Sequence, residues 1–387
     1  MSIANITNNA KDNTEASVSE IVQFCICIRF TMKIPLIIAG YFMALIISAE
    51  SQNEPTSLVS ILNIARYQNT ECLAENGLTG ICLTDGDCSR RNGAKIGNCA
   101  NGYAVCCLER FTCGNVTSKN ETVFVNPSYP FNSENGTDTC QVTVGNPTDV
   151  CQLRLDFLEF SLGQPDDDGH CTTDSFMVRS MVGETLPILC GENSGQHIYV
   201  DLGRSSTNPV VLSVVSNSLK TTRRWQIKIS MIKCNSLDMA PSGCLQYYRK
   251  PSDFVRSFNW GPKKENHIRY LSNLRYTVCT RMEENFCSIK WTTETPDSFS
   301  WGMPASRGSQ GKDCNDDDFV VISQGSSEGL DIGEDRFCGS KLLHKNVIIS
   351  HVKPFFLGVV SNKNATLNRK HSQFGFSLRY TQLPCMV

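Results

Sequence analysis

Twelve cysteines between Cys113 and Cys385 constrain this chain more than any other feature. They fall into two sets of six with one internal order: Cys113, Cys140, Cys151, Cys171, Cys190, Cys234, and then Cys244, Cys279, Cys287, Cys314, Cys338, Cys385. The fourth member of each set opens a similar phrase, Cys171-Thr-Thr-Asp174-Ser-Phe176 and Cys314-Asn-Asp-Asp317-Asp-Phe319. The fifth is followed by glycine both times, Cys190-Gly191 and Cys338-Gly339. The chain therefore contains an internal repeat of about 130 residues, two copies of one disulfide-stapled module.

Cysteine usage also sets the redox compartment. The chain of 387 residues holds 20 cysteines, with no CxxC pair and no CxxC…HxxxH spacing of a zinc site. Disulfides in an oxidising, secretory environment are the expectation. A targeting segment agrees with it. From Met32, one Lys33 precedes an apolar stretch that ends in Ser48-Ala49, the layout of a signal peptide over 32–49. Residues 1–31 read as a leader that is not translated, with Met32 the start. The alternative is a signal anchor extended by Ile21–Ile28, although Arg29 and Lys33 interrupt that run. Loss of Cys25 and Cys27 with the leader leaves eighteen cysteines, an even number. The chain stops at Val387 without an apolar tail, which reads against a lipid anchor at that end.

Residues 50–71 read as a linker, with Ser57–Ala65 as a short helix at most. Residues 72–107 read as a unit of their own, with Cys72, Cys82, Cys88, Cys99, Cys106 and Cys107 among frequent glycines. So short a segment cannot bury enough apolar surface to fold unaided, and disulfides must supply the rest. Adjacent Cys106 and Cys107 should reach different partners; fifteen pairings are open to six cysteines. Beyond it, residues 113–234 and 244–385 alternate in period two. Leu153, Leu155 and Phe157 share one face, as do Ile198, Val200 and Leu202, and Trp225, Ile227, Ile229 and Met231. Phe355, Leu357 and Val359, and then Phe374, Phe376, Leu378 and Tyr380, do the same. Such short strands between Gly, Pro, Asn and Ser turns predict all-β sandwiches.

At this point the motifs resemble a known family. Cys113-Gly114, Asn126-Pro127-Ser128-Tyr129-Pro130, Leu155-Asp-Phe157, Cys171-Thr-Thr-Asp174 and Leu189-Cys190-Gly191 resemble the phrases of CUB domains. The second module keeps fewer: Cys314-x2-Asp317-x-Phe319, Arg336-Phe337-Cys338-Gly339 and Gly375-Phe376-Ser377-Leu378-Arg379-Tyr380. It lacks the Asn-Pro-Ser-Tyr-Pro turn. The resemblance implies two jelly-roll β-sandwiches, 113–234 and a divergent 244–385. It implies the pairs Cys113–Cys140, Cys171–Cys190 and, with these, Cys151–Cys234. In the second module the same order implies Cys244–Cys279, Cys314–Cys338 and Cys287–Cys385. The unit 72–107, ending in adjacent cysteines, resembles the clip domain of arthropod protease cascades. That resemblance implies Cys72–Cys106, Cys82–Cys99 and Cys88–Cys107. The whole order resembles secreted arthropod CUB-domain proteins.

Many CUB domains bind calcium with a Glu before the Asp of the C-x2-D phrase, that Asp, and an Asp in a later loop. Here Asp174 is present, the Glu position falls near Gly163, and the later loop offers Asn217. Calcium takes several hard oxygens, so no calcium is expected. The neighbouring Asp166-Asp167-Asp168 and, in the second module, Asp316-Asp317-Asp318 read as solvated acidic turns. No Gly-Asp-Ser-Gly-Gly-like nucleophile loop, HExxH pair or phosphate loop occurs, so no enzyme is expected. Ser194-Gly195 and Ser242-Gly243 read as turns, and the six histidines as scattered surface or edge residues. A net charge of -2, without a basic run, gives no reason to expect nucleic acid. N-glycosylation sequons stand at Asn115, Asn120, Asn135 and Asn364. Tyr247-Tyr248 and Phe258-Asn-Trp260, beside Arg249, Lys250 and Arg256, suit either a binding face or a core.

Together these features predict a secreted, non-catalytic binding or scaffolding protein with extracellular protein partners, no membrane span after signal removal and no cofactor. The alternative is a regulatory cofactor of a clip-type serine protease cascade.

Overall fold

The alternation of apolar and polar residues becomes two stacked β-sandwiches. They are seen in a computed structural model that describes residues 70–385, apart from 76–77, 134–137, 181–185, 204–207, 218–220, 262–268, 303–306, 315–317, 330–332, 344 and 364–373. The signal segment, the leader and most of the linker lie outside the described residues.

In the first sandwich one sheet contains Thr122–Val125, Arg224–Lys233, Val150–Ser161 and His197–Asp201, in that spatial order. The opposing sheet runs Val116–Thr117, Asp138–Val144, Val210–Ser216 and Asp174–Arg179. Inward faces meet in a core where Phe157, Phe160 and Phe176 pack together. Phe176 stands edge-on to the other two at 5.8 and 5.5 Å, the geometry that ring quadrupoles favour.

The second sandwich repeats the plan. Ser252–Arg256, Gly375–Pro384, Phe286–Thr293 and Val347–Ser350 form one sheet. Cys244–Tyr248, Arg275–Thr280, Phe356–Val360 and Phe319–Gly325 lead the other, which continues through Glu334–Gly339 to Gly308–Gln310. Each module opens with a strand laid parallel to its neighbour: Val116–Thr117 on Asp138–Val144, and Cys244–Tyr248 on Arg275–Thr280. The repeat seen in the cysteines is thus also a repeat in strand order.

Nine disulfides join the eighteen cysteines of the described residues. They are Cys113–Cys140, Cys151–Cys234, Cys171–Cys190, Cys244–Cys279, Cys287–Cys385, Cys314–Cys338, Cys72–Cys106, Cys82–Cys99 and Cys88–Cys107.

The six-cysteine segment is more closely built in than its sequence suggests. Thr84 caps a short helix, Asp85–Arg90, by accepting from the Asp87 N–H at 3.1 Å. The last strand, Ala104–Phe111, runs past Cys107 and pairs in parallel with Thr122–Val125, from Glu109 opposite Thr122 to Phe111 opposite Phe124. Its sheet therefore continues into the first sandwich as one sheet of eight strands. The buried Glu109 carboxylate at this junction accepts from Lys119 Nζ at 2.8 Å and Arg91 Nη1 at 2.9 Å. Lys228 reaches across from the sandwich to Thr79 Oγ1 at 2.7 Å.

Candidate functional site

Loops at one end of the first sandwich converge on Asp174. Alternation gives Asp174 the same parity as Phe176 and Val178, so it faces inward at the start of its strand. Arg223 has the parity of Trp225 and Ile227 and faces inward from the opposite sheet. The two meet as an ion pair with side-chain exposures of 2% and 0%. Arg223 Nε lies 2.9 Å from both carboxylate oxygens, and Nη2 lies 2.8 Å from Oδ1. The Gly163 N–H adds a bond of 2.6 Å to Oδ2. Arg223 and the neighbouring Trp225 are held by the segment from Asn126 to Ser133, which contains the Asn126-Pro127-Ser128-Tyr129-Pro130 turn. Ser133 exchanges backbone bonds with Arg223 at 2.8 and 3.0 Å, and Asn126 Oδ1 accepts from the Trp225 N–H at 3.2 Å.

The calcium set known from CUB domains does not fit here. The backbone stands where a Glu would be needed: a Cβ on Gly163 would lie 2.9 Å from Asp174 Oδ2. Asn217 turns its side chain to the Thr172 carbonyl, at 3.5 Å. Asp166, Asp167 and Asp168 supply no replacement: Asp166 Oδ1 accepts from the Asp168 and His170 N–H groups, closing the turn, and the other two are exposed. A cavity of about 20 Å³ beside the pair is lined by Arg223 itself, with Asp138, Ser133 and Ser216. Among the described residues no group of three or more His, Cys, Asp or Glu side chains is placed to hold a metal.

In the second module Asp318 is a buried acid at the start of the corresponding strand, one residue beyond the Asp317 that the repeated phrase indicates. Asp318 precedes the core residues Val320 and Ile322 at period two, as Asp174 precedes Phe176 and Val178. The phrase is therefore one residue longer in this copy; Phe319 is only half-buried, under the Arg336 guanidinium. Asp318 accepts from the Tyr270 hydroxyl and, at 2.6 Å, from the Asn362 N–H. Asp316 and Asp317 lie outside the described residues.

Of the aromatics read as either a binding face or a core, Phe258 packs in the core against Tyr276 at 5.1 Å, while Tyr247 and Tyr248 lie at the seam between the two sandwiches. Tyr247 and Phe258 are buried, and Tyr248 is 4.9 Å from the ring of His197 in the first sandwich. Tyr199 and Tyr247 meet edge to face at 6.1 Å. His197 is buried too, against the expectation of a surface residue, because the second module covers the outer face of its strand. Burial, with help from the Arg154 charge, holds its pKa down to about 4. The neutral ring accepts at Nε2 from the Tyr247 N–H at 3.2 Å. Gln196 donates to the Ser257 carbonyl at 3.2 Å, and the Gln152 amide makes two bonds of 2.9 Å with Ala240 in the connecting segment. Asn259 Oδ1 accepts from the Glu192 N–H, and Asn193 Oδ1 from the Asn259 N–H, both at 2.8 Å. The acidic turn joins in through its backbone: the Ser272 N–H donates to the Gly169 carbonyl at 3.0 Å, and its hydroxyl to that of Asp168 at 2.6 Å. Each sandwich thus carries half of one hydrogen-bonded joint.

Gly195 and Gly243 have φ of 79° and 82°, so Ser194-Gly195 and Ser242-Gly243 are turns, and Ser194 Oγ accepts from the Phe160 N–H. Asn115 and Asn120 are exposed, while Asn135 and Asn364 lie outside the described residues. Asn120 Oδ1 accepts from the Met231 N–H at 2.6 Å.

With this geometry in place, residues 241–383 match the family described as the animal CUB domain. That part of the chain is a CUB domain. The match falls on the copy that holds fewer of the short loop phrases. No curated protein matches the chain. Among solved structures, the CUB1-EGF-CUB2 domains of rat MASP-1 are 13% identical, with a TM-score of 0.25, covering 69% of this chain and 99% of that one. The corresponding domains of human MASP-1/3 are 13% identical, with a TM-score of 0.24, covering 67% and 98%. The full extracellular region of zebrafish Gpr126/Adgrg6 is 12% identical, with a TM-score of 0.27, covering 70% and 36%. CUB domains mediate contacts between extracellular proteins, and the paired cysteines suit that oxidising setting. Among the described residues no helix is long and apolar enough to cross a membrane.

Proposed function

We propose that the chain is a secreted, non-catalytic scaffold that binds extracellular proteins through surfaces displayed by two CUB-like sandwiches. Its parts are a signal peptide at 32–49, a linker at 50–71, a clip-like unit at 72–107, and modules at 113–234 and 244–385. At least two of the sequons at Asn115, Asn120, Asn135 and Asn364 carry glycans. The joint between the sandwiches carries this reading. Its buried hydrogen bonds, centred on Asn259 and His197, favour one fixed orientation of the two modules. A binder with fixed geometry loses little conformational freedom on association.

One observation favours a narrower role. The six cysteines of 72–107 pair first with fifth, second with fourth and third with sixth, the order implied by the clip resemblance. A non-catalytic regulator of a clip-type serine protease cascade would use such a unit for recognition. The test is affinity capture on the tagged, secreted chain from arthropod haemolymph or conditioned medium, followed by binding measurements with each purified candidate. A clip protease bound directly supports the narrower role; another extracellular protein supports the scaffold alone. Turnover of peptide or ester substrates by the purified chain would overturn both.

A further inference from the structure

We propose that Arg223 is the resident counter-cation of the Asp174 corner, standing in for the divalent ion of calcium-binding CUB modules. The inter-module joint built on that corner is accordingly independent of calcium. Three observations carry this. The guanidinium and the carboxylate are both excluded from solvent and meet through three contacts of 2.8–2.9 Å. A guanidinium keeps its charge at every pH at which a protein is folded, so this cation is neither released nor chelated. Asp174 Oδ2 also accepts from the Gly163 N–H at 2.6 Å, so the chain itself supplies donors to both carboxylate oxygens.

The corner also supports the joint. Gly163, bonded to Asp174, accepts at its carbonyl from the Gly191 N–H at 2.9 Å. Gly191 lies directly beneath the Asn259 side chain of the second sandwich. A short series of contacts thus links Arg223, Asp174, Gly163, Gly191 and Asn259. In a calcium-binding module, metal loss would loosen such a corner. Here the cation is covalently part of the chain, so the corner stays closed in calcium-poor surroundings. A calcium ion could enter only by displacing Arg223, into a space that this cationic side chain lines.

The test uses the full secreted chain after treatment with a chelator. Calcium chloride is titrated in by calorimetry, and thermal unfolding is followed with calcium and with chelator. The expected result is no saturable heat and no shift of the unfolding midpoint. Saturable micromolar binding that Asp174→Asn abolishes would overturn the proposal. A second arm compares Arg223→Met, Asp174→Asn and the double variant. Arg223→Met leaves a buried carboxylate uncompensated and should lower the midpoint by roughly 10 °C, with the double variant recovering a large part of that loss. Losses that simply add in the double variant would mean that the two side chains are not coupled, which also overturns it. The calcium titration on the unaltered chain stands even if Arg223→Met does not fold.

Discussion

His197 shows how one side chain can report on the whole joint. Its ring is buried beside Tyr199 and Tyr248, with Arg154, Asp156 and Asp253 the charged groups that act on it, and its pKa falls from 6.5 to about 4. In the unfolded chain it protonates near pH 6.5; in the folded chain it stays neutral until about pH 4. Between these values the unfolded state binds more protons, so stability falls as pH falls. A shift of this size corresponds to about 3 kcal/mol, present above pH 6.5 and lost by about pH 4. Urea unfolding at a series of pH values should show this decline, and His197→Gln should flatten it across that window. An unchanged slope in the variant would show that His197 does not titrate with folding. What the sequence revealed at this scale depended on which face was covered. Arg223 and Asp174 share the parity of core residues, so alternation alone places both charges inward, where each needs a partner. His197 has the opposite parity to Ile198 and Val200. Its burial comes from the other module, and no pattern within its own strand encodes that.

At the scale of strands and staples, period two was legible because each sheet has one face on a core. Leu153, Leu155 and Phe157, like Phe376, Leu378 and Tyr380, are all buried. Not legible was the partner of an edge. Nothing in Ala104–Phe111 announces that it pairs with Thr122–Val125 and joins the six-cysteine sheet to the sandwich. The offset between Asp317 and Asp318 was hidden for a related reason: the repeated phrase aligns by its cysteine, while the strand aligns by its core residues. The staples themselves differ in what they restrain. Cys151–Cys234 closes a separation of 83 residues and ties the chain after Arg224–Lys233 back to Val150–Ser161; Cys113–Cys140 spans 27. Loop-closure entropy assigns roughly 4–5 kcal/mol to the longer closure and 3–4 to the shorter. Replacing Cys151 and Cys234 by alanine should therefore lower the urea midpoint more than replacing Cys113 and Cys140. The reverse order would show that folded-state packing, not chain entropy, dominates these bonds.

At the scale of the molecule, the question is whether the two sandwiches move as one body. The described residues belong to a single compact unit, and one continuous set of buried apolar side chains, from Phe124 to Tyr380, runs through both modules. Gly191 is the point at which to break them apart. Its φ is 74°, and a Cβ there would overlap the side-chain amide of Asn259, itself a residue with φ of 55°. Gly195 provides the control: its φ is 79°, and a Cβ there would meet nothing within 4 Å. Alanine at either position incurs the left-handed backbone strain, roughly 1–2 kcal/mol. Only Gly191→Ala also drives a methyl group into the neighbouring module. Gly195→Ala should leave a single cooperative unfolding transition and an unchanged radius of gyration in solution scattering. Gly191→Ala should split the transition and expand the particle as the sandwiches separate. If the two variants behave alike, backbone strain is the whole effect, and the Gly191–Asn259 contact does not hold the modules together.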